Sequence, residues 1–275
     1  MFFPTFGSMD LQFNKTRIAP TPSGYLHRGN VFSFLLTRAI AEQTGAKLLL
    51  RIDDLDTARV RKEFLENIFE TVSMLGIPIQ EGPQQLGEYE SRYSQLHRMP
   101  FYKNALMQLI QKGLVYACVC SRTTGGRESC PCRTMNIPFT LPGAALRMRT
   151  GDAKMAVRTI RSGNIDAVLP VEMQDFIVWR KDGMPAYQLA SVVDDIYFGV
   201  DLVVRGDDLW ASTLAQLYLA EQLEAGSFLN TVFYHHELER DERGEKLSKS
   251  VGGNKFDVNE LERVREKVQS EIGNL

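Results

Sequence analysis

The sequence predicts an α/β fold, a doubly wound parallel sheet with a smaller subdomain inserted into it. Two observations predict this. Short apolar strands alternate with segments of helical apolar spacing, the order that builds a parallel sheet with helices on its faces. A basic, Cys-containing stretch of shorter elements then interrupts the alternation before it resumes.

Each element follows from local pattern. Residues 1–13 are set aside as an N-terminal extension, since Met9 offers a second start. Lys15 to Ala19 reads as a strand that stops at Pro20, where the ring removes a ladder donor. Pro20-Thr21-Pro22-Ser23-Gly24 is then a stiff turning loop. Val31, Phe34, Leu35, Ala39 and Ile40 recur at helix spacing, and Gly45 fits just past the helix end. Lys47 to Ile52 is a continuous strand of the kind buried on both faces. A second helix carries Phe64, Ile68, Val72 and Leu75 on one side. A third runs to Gly113 with Phe101, Ala105, Leu106, Leu109 and Ile110. Residues 116–186 read as short elements and turns. A helix near Leu189–Asp194, a strand at Leu202–Arg205 and a helix near Leu214–Leu223 restore the alternation. A polar, charged helix closes the chain over 257–271. Right-handed crossovers would lay the helices over the sheet. The implied division is 14–115 with 187–256 as one nucleotide-binding domain, 116–186 as the insertion and 257–275 as a terminal helix.

The chain has 275 residues, enough for about two domains and a sizeable core. No apolar run approaches the ~20 residues of a membrane span, and the first residues lack a secretory leader, so a cytoplasmic protein is expected. The net charge is −2, which argues against a dedicated nucleic-acid coat. Residues 116–186 nevertheless hold ten Lys/Arg against six Asp/Glu, or +4 on a remainder of −6. A basic segment on an acidic body suits local phosphate contact, and equally suits ordinary surface variation. The four cysteines, Cys118, Cys120, Cys130 and Cys132, fall within fifteen residues. Without a secretion signal this favours metal over disulfides, the alternative being four reduced thiols.

Four segments carry candidate chemistry. Gly24-Tyr25-Leu26-His27-Arg28-Gly29-Asn30 sits between a strand and a helix, where an open sheet places ligands. Gly29 lets backbone approach a phosphate, the helix start supplies N–H donors, and His27 adds another. Lys246-Leu247-Ser248-Lys249-Ser250 places two lysines three apart, able to follow developing phosphate charge or simply to be solvated. Asp53, Asp54 and Asp56 end a strand and suit an ammonium group, Mg²⁺ or helix capping. Arg205 ends another strand, where it can fork onto a carboxylate or join a structural ion pair.

Taken in order, the His27 segment and the Lys246-Leu247-Ser248-Lys249-Ser250 loop resemble the two signature sequences of the class I aminoacyl-tRNA synthetases. Arg17-Ile18-Ala19-Pro20-Thr21-Pro22-Ser23-Gly24-Tyr25-Leu26-His27, Arg51-Ile52-Asp53-Asp54-Leu55-Asp56, Glu81-Gly82-Pro83 and Arg205-Gly206-Asp207-Asp208-Leu209 narrow the resemblance to the glutamyl-tRNA synthetase branch. It covers about residues 14–255. Only about 25 residues follow the lysine loop, where the full-length enzymes carry a long anticodon-reading part. In this the chain is similar to the short paralogous family, the glutamyl-Q tRNA(Asp) synthetases, which glutamylate the queuosine base of tRNA(Asp).

The resemblance implies a Rossmann-like class I synthetase fold with an acceptor-type insertion. It implies L-glutamate, ATP with Mg²⁺, and tRNA as partners of a monomer. His27, Asn30, Lys246 and Lys249 would be catalytic. Pro20, Ser23, Gly24, His27, Gly29, Asn30 and Lys249 would bind ATP. Arg17, Ala19, Pro20, Thr21, Asp53, Tyr187 and Arg205 would bind the amino acid. The family also holds Zn²⁺ through Cys-x-Cys, a Tyr and a later Cys. Two departures stand out. Asp53 replaces a Glu, one methylene shorter. No Tyr lies between the cysteines, so Cys130 would complete a Cys₄ set. A tRNA-independent nucleotidylyltransferase, an inactive RNA-binding module and a shortened glutamyl-tRNA synthetase acting on the 3′ end of tRNA(Glu) are the competing readings.

Overall fold

The computed structural model describes residues 11–120, 130–238 and 255–275. The chain order is β1 (Lys15–Ile18), α1 (Arg28–Thr44), β2 (Lys47–Leu50), α2 (Lys62–Met74), α3 (Leu86–Glu88), α4 (Met99–Gln111) and β3 (Val115–Cys118). β4 (Ala145–Met148), β5 (Lys154–Thr159), β6 (Gly163–Val168), β7 (Ile177–Trp179) and α5 (Tyr187–Phe198) follow. β8 (Leu202–Gly206), α6 (Trp210–Gln222), α7 (Gly226–Leu229), β9 (Val232–His236) and α8 (Leu261–Gly273) complete it. This is the α/β order expected from the alternation. The chain folds into two compact units. One comprises 1–97, 200–208 and 233–275, the other 98–199 and 209–232.

In the first unit β1 and β2 pair in parallel, with Lys15 opposite Lys47 and Ile18 opposite Leu50. Parallel neighbours need a crossover, and α1 supplies it. Gly45 ends α1 in the left-handed region at φ 73°, the conformation a side chain resists. Val31, Phe32, Leu35, Leu36 and Ile40 are almost wholly buried along α1, and Val264 and Val268 of the terminal helix α8 join the same core. The Glu81-Gly82-Pro83 segment extends the pairing on the far side of β2 through a parallel bridge from Glu81 to Leu49. Gly82 is required there: its φ is 104°, and a Cβ would lie 2.2 Å from the Leu50 carbonyl oxygen. β8 packs beside β1, tied by the carboxylate of Asp201 accepting from the backbone N–H groups of Asn14 and Lys15 at 2.9 Å.

Two helical faces differ from expectation. On α2 the buried side is Leu65, Asn67, Ile68, Thr71 and Val72, while Phe64 turns toward Tyr25. In α4 of the second unit, Tyr102, Ala105, Leu106 and Leu109 are buried but Phe101 is 48% exposed, tilted against Tyr197. In both cases the apolar residue one position off the stripe meets another aromatic ring instead of the core.

The second unit is antiparallel in its strands. β4 sits between β3 and β7, and β5 and β6 form a hairpin. Its helical part is held by a buried network in which Asp194 accepts from Arg98 Nε at 2.7 Å and from the Tyr102 hydroxyl at 2.6 Å. A second hub is Asp175, fully buried with φ 48°. Its carboxylate accepts from Tyr116, Arg133 and Thr150.

Candidate active site

The site-bearing loop of the first unit runs from the end of β1 to the start of α1. It contains Ala19, Pro20, Thr21, Ser23 and Gly24. Its far end is clamped by α2. The buried Asn67 side chain accepts the Leu26 N–H at 2.9 Å, and Phe64 packs edge-on to the Tyr25 ring. On the other side the Asp53 N–H donates to the Pro20 carbonyl at 2.9 Å. The loop therefore delivers His27 to the helix start in a defined pose.

His27 is the N-cap of α1. Its Nδ1 accepts the Gly29 N–H at 3.2 Å, while Asn30 Oδ1 accepts the His27 N–H at 3.1 Å. This reciprocal pair makes a capping box from unusual residue types. Because Nδ1 accepts, the proton of the neutral ring belongs on Nε2. The cap thus orients Nε2 as a donor at the positive end of a 17-residue helix, a setting that favours anions.

Arg17 and Arg205 lie on the adjacent strands β1 and β8, and are 6% and 5% exposed. Arg17 Nη1 donates to the Val204 carbonyl at 3.4 Å, which ties it to the residue before Arg205. The Arg205 guanidinium carbon lies 5.1 Å over the Phe233 ring. A Cβ at Gly206 would meet the Asp208 carboxylate at 2.6 Å and the Leu238 side chain at 2.8 Å.

The three carboxylates of 53–56 do not converge, a correction to their reading as one cation site. Asp53 takes a two-pronged bond from Arg51, Nε at 2.7 Å and Nη2 at 3.0 Å. Asp54 turns inward and accepts from the Tyr89 hydroxyl at 2.6 Å, the Ser94 hydroxyl at 2.5 Å and the Gln95 N–H at 2.9 Å. Burial and the Asp54 charge push the Tyr89 hydroxyl well above its ordinary range, so it stays a donor. Asp56 pairs with Arg59 at the surface. Neither Asp54 nor Asp56 caps α2, whose N-cap is Arg61.

In the second unit Tyr187 is the first residue of α5 and is 43% exposed. The four cysteines do converge. Cys118 Sγ lies 3.8 Å from Cys130, and Cys120 lies 3.8 Å from Cys130 and 3.5 Å from Cys132. A tetrahedral zinc with Zn–S bonds of about 2.3 Å has sulfur–sulfur edges of about 3.8 Å. The donor set therefore has the size of a Cys₄ zinc cage. Burial raises the Cys118 thiol, and hydrogen bonding to Cys132 pushes Cys120 up to about 12. Thiolates so close together need a cation among them. Lys246 and Lys249 lie outside the described residues.

Sequence reasoning missed Asn67, Phe233 and His235. Asn67 is signalled as an amide side chain on the apolar side of α2. Phe233 and His235 are signalled by two-residue alternation along β9.

The family described as tRNA synthetases class I (E and Q), catalytic domain, matches residues 14–125 and 142–267. The chain belongs to this family, and it is a ligase of the aminoacyl-tRNA synthetase type. Within it, a protein named glutamyl-Q tRNA(Asp) synthetase from Nitratidesulfovibrio vulgaris is 35% identical over 252 residues, covering 85% of this chain and 76% of its own length. One of the same name from Rhodobacter capsulatus is 32% identical over 266 residues, covering 85% of this chain and 90% of its own. A glutamate–tRNA ligase of a Sulfurihydrogenibium species is 29% identical over 257 residues, covering 86% of this chain and 53% of its own length. The crystal structure of a glutamate–tRNA synthetase from Elizabethkingia anophelis superposes with TM-score 0.73 at 23% identity, covering 86% of this chain. That likeness shows the class I fold. The chain spans about half, 53%, of that solved structure's length. No helix among the described residues is long and apolar enough to cross a membrane.

Proposed function

We propose that this protein uses ATP to activate L-glutamate as its adenylate and transfers the glutamyl group to the queuosine base of tRNA(Asp). The observation that carries the reading is the pairing of two buried arginines, Arg17 and Arg205, with a His-capped helix start in one unit. One feature suits a carboxylate and the other a phosphate.

In the reaction the α-carboxylate of glutamate attacks the α-phosphate of ATP, and pyrophosphate leaves. The protein supplies position and charge rather than a nucleophile. Pro20, Ser23 and Gly24 shape the loop against ATP. His27 Nε2, the positive end of α1 after Gly29, and later Lys246 and Lys249 balance the phosphate charge. Arg17 and Arg205 grip the side-chain carboxylate, beside the Ala19-Pro20-Thr21 backbone. A neutral amide would leave a buried guanidinium underpaired, at a cost of about 1–3 kcal/mol or more, which disfavours glutamine. Asp53, held by the Arg51 fork, faces the ammonium. Mg²⁺ shields phosphate charge when ATP brings it. The divergence of Asp53, Asp54 and Asp56 supports its arrival with the nucleotide rather than on a carboxylate cage.

Residues 14–115 and 187–256 form the catalytic domain in this reading, and 116–186 the tRNA-contacting insertion, with Cys118, Cys120, Cys130 and Cys132 holding a structural Zn²⁺. The protein works as a cytoplasmic monomer. The deciding experiment is transfer of radiolabelled glutamate onto queuosine-containing tRNA(Asp), queuosine-lacking tRNA(Asp) and tRNA(Glu). Label on the first alone is expected. Label at the 3′ end of tRNA(Glu) would replace this reading with that of a shortened glutamyl-tRNA synthetase.

A further inference from the structure

The four cysteines form a largely buried cluster with Tyr116, so charge on them is held away from water. A Zn²⁺ ion bound by four thiolates leaves a surplus of roughly two negative charges. Buried charge needs a counter-charge. β3 and β4 are antiparallel, with Tyr116 opposite Arg147 and Cys118 opposite Ala145. Alternate residues of a strand share a face, so Arg147, Tyr116 and Cys118 stand on one side of the sheet.

Arg147 is 6% exposed. Its Nη1 donates to the backbone carbonyl of Asp175 at 2.9 Å, a neutral acceptor. Its Nε is buried and meets no hydrogen-bond partner among the described residues. The guanidinium stays charged even when buried. The nearby Asp175 carboxylate is already met by Arg133, Tyr116 and Thr150. Arg149 is occupied too: its guanidinium carbon lies 5.1 Å over the Tyr116 ring, and its Nη1 donates to the Arg133 carbonyl at 2.8 Å. The Arg147 charge falls on the cysteine side. Burial raises the Cys118 thiol, and a hydrogen bond from Arg147, together with its charge, opposes that rise.

We propose that Arg147 is the counter-cation of the cysteine centre: it balances part of the charge of the metal-bound ligand set and so sets how firmly the metal is kept. This deepens the proposed function and rests on the four cysteines holding Zn²⁺. Arg147 is a positioning residue, since it touches a ligand side chain and not the substrate. A neutral residue of similar length would fill the space but leave the surplus charge of the centre unbalanced in a buried place.

The test uses the full-length protein in zinc competition against a chromophoric chelator. Arg147→Gln removes the charge but keeps an N–H donor. Its zinc affinity should fall about 10–100-fold, the range for partners just outside a metal's ligands. Arg147→Lys keeps the charge and should recover most of that loss. Loading the same proteins with Co²⁺ adds a spectroscopic readout. Without the cation the thiolates give up electron density more easily. The sulfur-to-cobalt charge-transfer band should therefore move to longer wavelength in Arg147→Gln and return in Arg147→Lys. If Arg147→Gln fails to fold, Arg147→Met, also uncharged, should show the same affinity loss and band shift. Unchanged affinity in a folded Gln or Met variant would overturn the proposal. So would an affinity loss with an unmoved band, which marks a packing role, or a Lys variant as impaired as Gln. Folded wild-type protein that takes up neither Zn²⁺ nor Co²⁺ would remove the cysteine site itself, and the counter-cation with it.

Discussion

Arg51 and Asp53 form a two-pronged ion pair at 2.7 and 3.0 Å, at the end of the strand run that begins with β2. Their side chains are 2% and 12% exposed, so neither is well solvated. The pair fixes the carboxylate on a rigid arm beside the Pro20 carbonyl. It gives the short Asp53 side chain a defined direction.

Removing one partner of such a pair leaves a buried charge uncompensated. Arg51→Met should cost about 3–5 kcal/mol, read as a shift in the urea midpoint. Its glutamate KM should rise as well, since Asp53 loses its orientation. A stable variant with unchanged KM would show that Asp53 does not depend on Arg51.

The cap and the chemistry of His27 can be separated. His27→Asn keeps an acceptor for the Gly29 N–H but removes the Nε2 donor. Helix stability should stay within a few tenths of a kcal/mol, while exchange falls about 100-fold. Asn30→Ala should instead lose about 1 kcal/mol of stability through the broken reciprocal bond. Circular dichroism melts and exchange rates on the two variants check this.

About one zinc per chain is expected by elemental analysis of protein purified without chelator. Cys130→Ser should lower that content and destabilise the second unit, because Cys130 contacts both Cys118 and Cys120. A fully folded wild-type protein without metal would contradict the Cys₄ site.

His235 makes acid stability specific. Its ring titrates near 3 in the folded protein, against an ordinary value of 6.5. Between those values the unfolded chain binds a proton that the folded chain refuses. Stability contributed this way is complete above pH 6.5 and is lost as pH falls toward 3. The slope approaches about 1.4 kcal/mol per pH unit. His236, lowered by burial, adds in the same direction. Denaturant titrations from pH 7 to pH 4 should show the slope, and His235→Asn should flatten it.

The sequence by itself determined the alternation of strands and helices, a helix following the Gly24–Asn30 segment, its stop at Gly45 and the clustering of the cysteines. Each is encoded locally, by apolar period, by residue type or by short spacing. Tertiary structure alone decided the fate of like charges. Asp53, Asp54 and Asp56 look equivalent in sequence, yet one meets Arg51, one is enclosed by Tyr89, Ser94 and Gln95, and one reaches the surface. The same holds for Arg205, whose ring partner Phe233 lies 28 residues away. A carboxylate's or guanidinium's role depends on partners and desolvation, and both are set by segments far apart in the chain.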